Sequence, residues 1–290
     1  MNSEKPGGID ARTRLCLLIG DPVEHSLSPA IHNAAFRGLG LNYVYLAFQV
    51  KDVKAAVEGL RGLGVRGASV TIPHKLAVIR HLDEIEDVAE WIGSVNTILN
   101  DRGVLKGYNS DASGALAALR ERGVRLGGKK ALILGSGGAA RSIGFALAAR
   151  GKVKEICIIG IVEKEFKKLA RDISRKTGVQ ARARMLEHDS LARAMAESDV
   201  VIQCTPVGMY PKIKQTLVPK SFFRPELKVM DIVYNPLETR FLREARAAGC
   251  KTIPGIEMFL NQAVVQFELW TGVKAPKDLM RNILKKNLRK

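Results

Sequence analysis

Aromatic side chains are scarce in this sequence, at 6% of 290 residues. No apolar run approaches the ~20 residues that a membrane-spanning helix requires, so a protein of that kind is not expected. The four cysteines, Cys16, Cys157, Cys204 and Cys250, stand far apart, with no C-x-x-C pair and no Cys/His cluster. That spacing supports neither a zinc site nor a disulfide framework; it predicts buried thiols and no metal. Glu4 and Asp10 lie near the N-terminus, where the apolar core of a signal peptide is missing, which predicts a cytoplasmic protein. Acids are in deficit as well: 29 Asp and Glu face 46 Lys and Arg, a formal net charge of +17.

That charge has three readings. The bases are spread along helical segments (Arg61, Lys167, Lys168, Arg171, Arg175, Arg243, Arg246, Lys285, Lys286) and are rarely interleaved with aromatics. Solvated helix faces therefore come first. A general attraction for small anionic substrates and phosphorylated cofactors comes second. Nucleic-acid binding, which needs clustered basic charge, comes last. The expected partner is a small molecule, with no nucleic acid and no membrane, for a monomer or homodimer.

What is present is ordinary globular usage, 46% apolar and 26% charged, in a chain long enough for two domains. The most informative stretch is Lys130–Arg150, KALILGSGGAARSIGFALAAR. Ala131–Leu134 reads as a buried parallel strand. It runs through Gly135-Ser136-Gly137-Gly138-Ala139 into an alanine- and leucine-rich helix. Such a turn aims backbone N–H groups and the positive end of the helix dipole at one spot, which suits a pyrophosphate. Gly135 permits the tight turn, Gly137 lets a phosphate approach the backbone, and Ala140 is small where helix and strand pack closely. A plain glycine-rich βα turn carries the same pattern; strand and helix on either side favour a dinucleotide.

The remaining chain fills in around this unit. A strand ends at Gly20, and Ser28-Pro29 opens a helix with Ser28 as N-cap and Pro29 at the first helical position. Ser26 and Ser28, two apart at this entrance, suit a carboxylate or polyol ligand as well as they suit capping and solvent. Asn42–Val50 reads as a strand, Lys51–Gly62 as a helix, and Gly67–Lys75 as a strand turning into a helix. Lys75 then stands near that helix's N-terminal end, where the dipole disfavours a cation. Asp83–Trp91 reads as a helix, Ser94–Asn100 as a strand and Asp101-Arg102-Gly103 as a hairpin turn. Asp111 falls where an N-cap or first-turn acid would. Strands at 155–159, 200–204, 229–233 and 251–253 alternate with helices, which predicts a doubly wound parallel sheet. Two helical stretches follow from Gly255.

Taken in order, GDPVEHSLSPAIHN (20–33), SVTIPHK (69–75), SVNT (94–97), GYNSD (107–111), GSGGAAR (135–141), TPVGM (205–209), DIVYNP (231–236) and PGIEMFLNQA (254–263) resemble the shikimate dehydrogenases over nearly the whole chain. The resemblance implies two α/β domains separated by a cleft. Residues 1–112 with 256–290 would bind substrate and carry catalysis, and 113–255 would be a Rossmann-type dinucleotide domain. It implies reversible reduction of 3-dehydroshikimate to shikimate with NADP, NAD being possible. Ser26, Ser28, Thr71, Lys75, Asn96, Asp111, Tyr234 and Gln262 would contact the polyol acid, with Lys75 and Asp111 as the catalytic pair. Gly135, Ser136, Gly137, Gly138 and Ala139 would hold the pyrophosphate, and Gly255 and Ile232 would flank the nicotinamide.

Three positions depart from the family pattern. Ser69 replaces a usual asparagine and Ser110 a usual threonine. Gly160-Ile161-Val162 replaces the Asn-Arg-Thr of NADP-dependent members. An NAD-preferring member would show an acid near this strand end; here Glu163 could meet a ribose, and Lys164, Arg182 or Arg184 a phosphate. An NAD-dependent quinate/shikimate dehydrogenase is thus the near alternative, and a non-catalytic dinucleotide-binding regulator the remote one.

Overall fold

The apolar runs read as strands are built into two separate six-stranded sheets. The structure is a computed structural model and describes residues 8–288. Its chain divides into two units, one comprising the chain to Ser110 together with Gln262 onward, the other Asp111–Asn261. Among the described residues no helix is long and apolar enough to cross a membrane.

The first unit begins with β1 (Arg14–Gly20), α1 (Ser28–Gly38), β2 (Tyr43–Gln49), α2 (Val53–Gly62) and β3 (Gly67–Val70). A short 3-10 turn (Ala77–His81) precedes β4 (Glu84–Ile85), α3 (Asp87–Ile92), β5 (Thr97–Asp101) and β6 (Val104–Tyr108). The sheet order is β2-β1-β3-β5-β6-β4. It is parallel around β1, and β5 runs antiparallel to both β3 and β6. The β5–β6 hairpin turns through Arg102 and Gly103, at φ 55° and 93°, the primed geometry that matches strand twist. Leu17, Ile19, Val57, Leu60, Val70, Ile98 and Leu105 form the core against α2.

The other face is covered by aromatics. His32 of α1 stacks on Tyr45 with ring centroids 4.6 Å apart. Burial pushes the His32 pKa down to about 3, so the ring is neutral near pH 7. The indole N–H of Trp270 donates to the Ile98 carbonyl at 2.9 Å.

The second unit contains β7 (Lys130–Leu134), α5 (Gly138–Ala149), β8 (Glu155–Gly160), α6 (Glu163–Thr177), β9 (Gln180–Met185), α7 (His188–Glu197) and β10 (Val200–Gln203). After these come β11 (Lys228–Asp231), α8 (Arg240–Ala247) and β12 (Lys251–Ile253). Its order is β12-β11-β10-β7-β8-β9, parallel throughout. The order reverses between β7 and β10, the doubly wound Rossmann arrangement. The expected α/β class therefore holds. Two helices span the unit boundaries, α4 (Ser110–Glu121) and α9 (Gly255–Thr271), and α10 (Lys277–Leu288) ends the described chain.

Four details differ from the sequence reading. Helix α1 starts at Ser28 itself, with Leu27 in the cap position and no side-chain cap, so the Ser28 hydroxyl is not spent on capping. Lys75 precedes a 3-10 turn rather than opening an α-helix. The expected helix at 83–91 is split, because Glu84 and Ile85 pair with Lys106 and Gly107 of β6. Strand β9 was not anticipated: its QARARM pattern has no apolar run, and it lies at the sheet edge.

Gly67 packs directly under the indole, where a Cβ would stand 2.1 Å from Trp270 Nε1. Gly67→Ala is expected to lower stability by about 1–3 kcal/mol, measured by denaturant unfolding; an unchanged midpoint would show that the indole moves aside freely.

Candidate active site

The residues singled out by sequence fall into one set in each unit. In the first unit the hub is Asn96, only 3% exposed. Its Oδ1 accepts from the Ser110 backbone N–H at 2.7 Å and lies 2.9 Å from the Thr97 hydroxyl. Thr97 Oγ1 in turn accepts from Gln266 Nε2 at 3.0 Å. Gln266 Oε1 accepts from the Ser69 hydroxyl at 3.0 Å, and Ser69 accepts from the Tyr45 hydroxyl at 2.7 Å. A continuous polar line thus runs from Tyr45 of β2 to Asn96 beneath an apolar sheet. Gln262 joins it, its Oε1 accepting from the Ser110 hydroxyl at 3.4 Å.

The neighbouring loop positions are fixed by backbone. Ser26 Oγ accepts from the Ser28 N–H at 3.3 Å. Thr71 donates its N–H to the Ile19 carbonyl at 2.9 Å. Gly20 is obligatory beside it, since a Cβ there would lie 2.2 Å from Thr71 Cγ2. The Lys75 carbonyl accepts from Val95 N–H at 2.9 Å, which ties the half-buried lysine to the segment that carries Asn96. Ser26, Ser28, Thr71, Lys75, Asn96 and Gln262 all belong to this unit.

Asp111, Tyr234, Ile232, Gly255 and the glycine loop belong to the second. Asp111 lies in the first turn of α4, one residue after Ser110. Gly135 adopts φ +110°, with Thr205 and Cys204 of the β10 end against it, so the loop sits at the strand-order reversal. Helix α5 starts at Gly138 with Gly137 in the cap position and no side-chain cap. A Cβ at Gly137 or Gly138 would meet nothing within 4 Å, while Ala140 is fully buried against the sheet. Uncapped helix N–H groups facing open space fit a pyrophosphate. Gly255 is required by contact: a Cβ would lie 2.4 Å from the Val233 carbonyl oxygen and 2.5 Å from that of Ile232. Tyr234 packs on Phe259 with ring centroids 4.9 Å apart. Among the described residues no group of three or more His, Cys, Asp or Glu is placed to hold a metal.

Residues 18–98 match the family model described as the shikimate dehydrogenase substrate binding domain, and residues 255–285 the one described as the shikimate 5'-dehydrogenase C-terminal domain. The chain is 46% identical over 285 residues to a Methanopyrus kandleri protein named shikimate dehydrogenase (NADP(+)), covering 97% of this chain and 98% of that one. This chain belongs to the shikimate dehydrogenase family. A solved shikimate dehydrogenase in complex with NADP+ superposes with a TM-score of 0.91 at 40% identity, over 98% of this chain and 99% of that one. The shikimate 5-dehydrogenase of Listeria monocytogenes, solved with shikimate and NAD, gives 0.91 at 41% identity, over 95% and 98%.

Sequence reasoning missed several members of the polar sets. Tyr45 and Gln266 sit in stretches that read as plain strand and helix, and no local signal marks them. Asp231 was legible only as part of DIVYNP. It is fully buried, accepting from the Thr239 hydroxyl at 2.6 Å and the Val233 N–H at 3.0 Å. Burial pushes its carboxyl up to about 6, against those two bonds.

A carboxyl raised in this way favours the fold while it is protonated. That contribution is full below the unfolded value of 3.8 and is lost as pH rises through about 6. The stability of the native chain relative to Asp231→Asn should therefore fall by up to about 3 kcal/mol between about pH 4 and pH 7. Denaturant unfolding across that range checks this; a pH-independent difference would refute it.

Proposed function

We propose that this protein is an NADP-dependent shikimate dehydrogenase of the cytoplasm, interconverting 3-dehydroshikimate and shikimate in aromatic amino-acid biosynthesis. The observation that carries the reading is identity above 40% over nearly the full length of relatives that bear this name. The first unit is assigned the polyol acid and the second the dinucleotide. The open N-terminus of α5, with Gly135 to Ala139, is assigned the pyrophosphate, and the Ile232–Gly255 contact the nicotinamide. When bound, NADPH supplies the hydride.

The chain's own task is the proton and the placement of the ring. When the carbonyl carbon gains a hydride, its oxygen gains a proton, and the reverse reaction returns both. Lys75 and Asp111 are assigned to that oxygen, one moving the proton and the other orienting the hydroxyl. Ser26 and Ser28 suit the carboxylate, because the Ser28 hydroxyl is not spent on capping α1. Thr71, Asn96, Tyr234 and Gln262 are assigned the remaining oxygens. Asn96 is pre-set for this, because its Oδ1 is fully engaged by Ser110 and Thr97, which leaves the amide N–H groups as the donors for a ligand. Rigid donors of this kind lose little entropy when the ligand arrives.

With 3-dehydroshikimate and NADPH, Lys75→Ala and Asp111→Asn are each expected to lower kcat by about 10²–10⁴-fold. Steady-state kinetics on folded variants test this. Losses under about tenfold would remove the pair from the proton step, and faster turnover of quinate with NAD would favour the quinate reading instead.

A further inference from the structure

At the end of β8 the chain presents Ile161 and Val162, 73% and 45% exposed. In a Rossmann unit this strand end faces the adenosine ribose, and an acid or an arginine there reads its 2′ position. Neither apolar side chain can do so. The next charged groups, Glu163, Lys164 and Glu165, form the first turn of α6.

These three are already sorted by their contacts. Glu163 pairs with Lys167 one turn along the helix. Lys164 and Lys167 stand with Arg171 and Arg175 along a groove of about 820 Å³ between α6 and the alanines of β9. Arg141, the cation at the end of the glycine motif, is bound to Asp172 at 2.8 Å. Glu165 turns to the glycine loop, its Oε2 accepting from the Ser136 hydroxyl at 3.2 Å. A carboxylate therefore sits on the rim of the loop assigned to the pyrophosphate, between that loop and the end of β8.

We propose that Glu165 reads the ribose 2′ position and holds this site open to NAD(H) as well as NADP(H). A carboxylate accepts a charge-assisted hydrogen bond from a 2′-hydroxyl and repels a 2′-phosphate. It thereby offsets the pull of a strongly basic chain on the extra phosphate. The inference rests on the dehydrogenase reading for where the nucleotide lies.

Calorimetric titration of the full chain with NADP, NAD, 2′,5′-ADP and 5′-ADP tests it without turnover. The native chain should bind NAD and NADP within about tenfold of each other. Glu165→Gln should shift the ratio about tenfold towards NADP and towards 2′,5′-ADP. Glu163→Gln, a charge change on the same turn but away from the loop, should move the ratio less than about threefold. Glu165 is exposed, so the substitution leaves the core untouched. The proposal is overturned if the native chain prefers NADP by more than about a hundredfold, if Glu165→Gln leaves the ratio unmoved, or if Glu163→Gln moves it equally. Binding of neither dinucleotide would overturn the dehydrogenase reading itself.

Discussion

The first N–H groups of α5, like those of any helix, have no intrahelical partners, and here, where the strand order reverses between β7 and β10, no side chain caps them; the nucleotide reading of the second unit depends on that condition. Backbone donors held in this way are normally satisfied by caps or water. Here Gly137 and Gly138 keep the space in front of them clear. Behind the loop Ala140, Ile143 and the buried strand fix its position, so an arriving anion finds donors that need no reorganisation. A side chain capable of capping α5 at Gly137 would stabilise the free protein and compete with its ligand.

The first unit faces the opposite problem, that of pairing a line of polar groups under a sheet, and it does so for this line although both ring nitrogens of the neighbouring His32 find no partner. Tyr45, Ser69, Gln266, Thr97, Asn96 and Ser110 are all nearly or fully buried. An unpaired buried donor or acceptor costs roughly 1–3 kcal/mol, so such groups are tolerable only as one connected line. The line also explains how serine is accommodated at position 69. Its short side chain leaves room for the Tyr45 hydroxyl, which bonds to it at 2.7 Å, and the hydroxyl pair takes up space that a longer amide would need. Burial raises the Tyr45 pKa far above its ordinary value, so the phenol keeps its proton and stays a donor near neutral pH.

Local pattern was enough to find what local pattern controls. The glycine turn after β7, the hairpin at Arg102-Gly103 and the alternation of strands and helices in the second unit each follow from a few consecutive residues. What escaped was set by partners distant in sequence. Glu84–Ile85 becomes a strand only because β6 lies beside it. Strand β9 alternates Ala181, Ala183 and Met185 with Gln180, Arg182 and Arg184, but two of its three apolar positions are only alanine, too weak a signal to mark a strand, and its edge position tolerates the exposed arginines. Ser28 looked like a cap because Ser-Pro is a good helix start, yet it is the first helical residue and Leu27 holds the cap position. Gln266 has no local mark at all; its role comes from the strand it packs against. Motifs nominated the candidate residues, and tertiary contacts decide which of their atoms remain available.

The distribution of charge follows the same division between global and local effects. A net charge of +17 attracts every anion that approaches, whether a carboxylate, a pyrophosphate or a 2′-phosphate, and so raises encounter without choosing among them. Choice requires a group at contact distance. The cations of α6 lie in a row along its β9 side, where they also discourage another strand from pairing with the β9 edge. The acid on the next position of that helix is bonded into the glycine loop. Long-range attraction and short-range selection are therefore assigned to residues of opposite sign one position apart, so that encounter and choice can be changed separately without moving the fold.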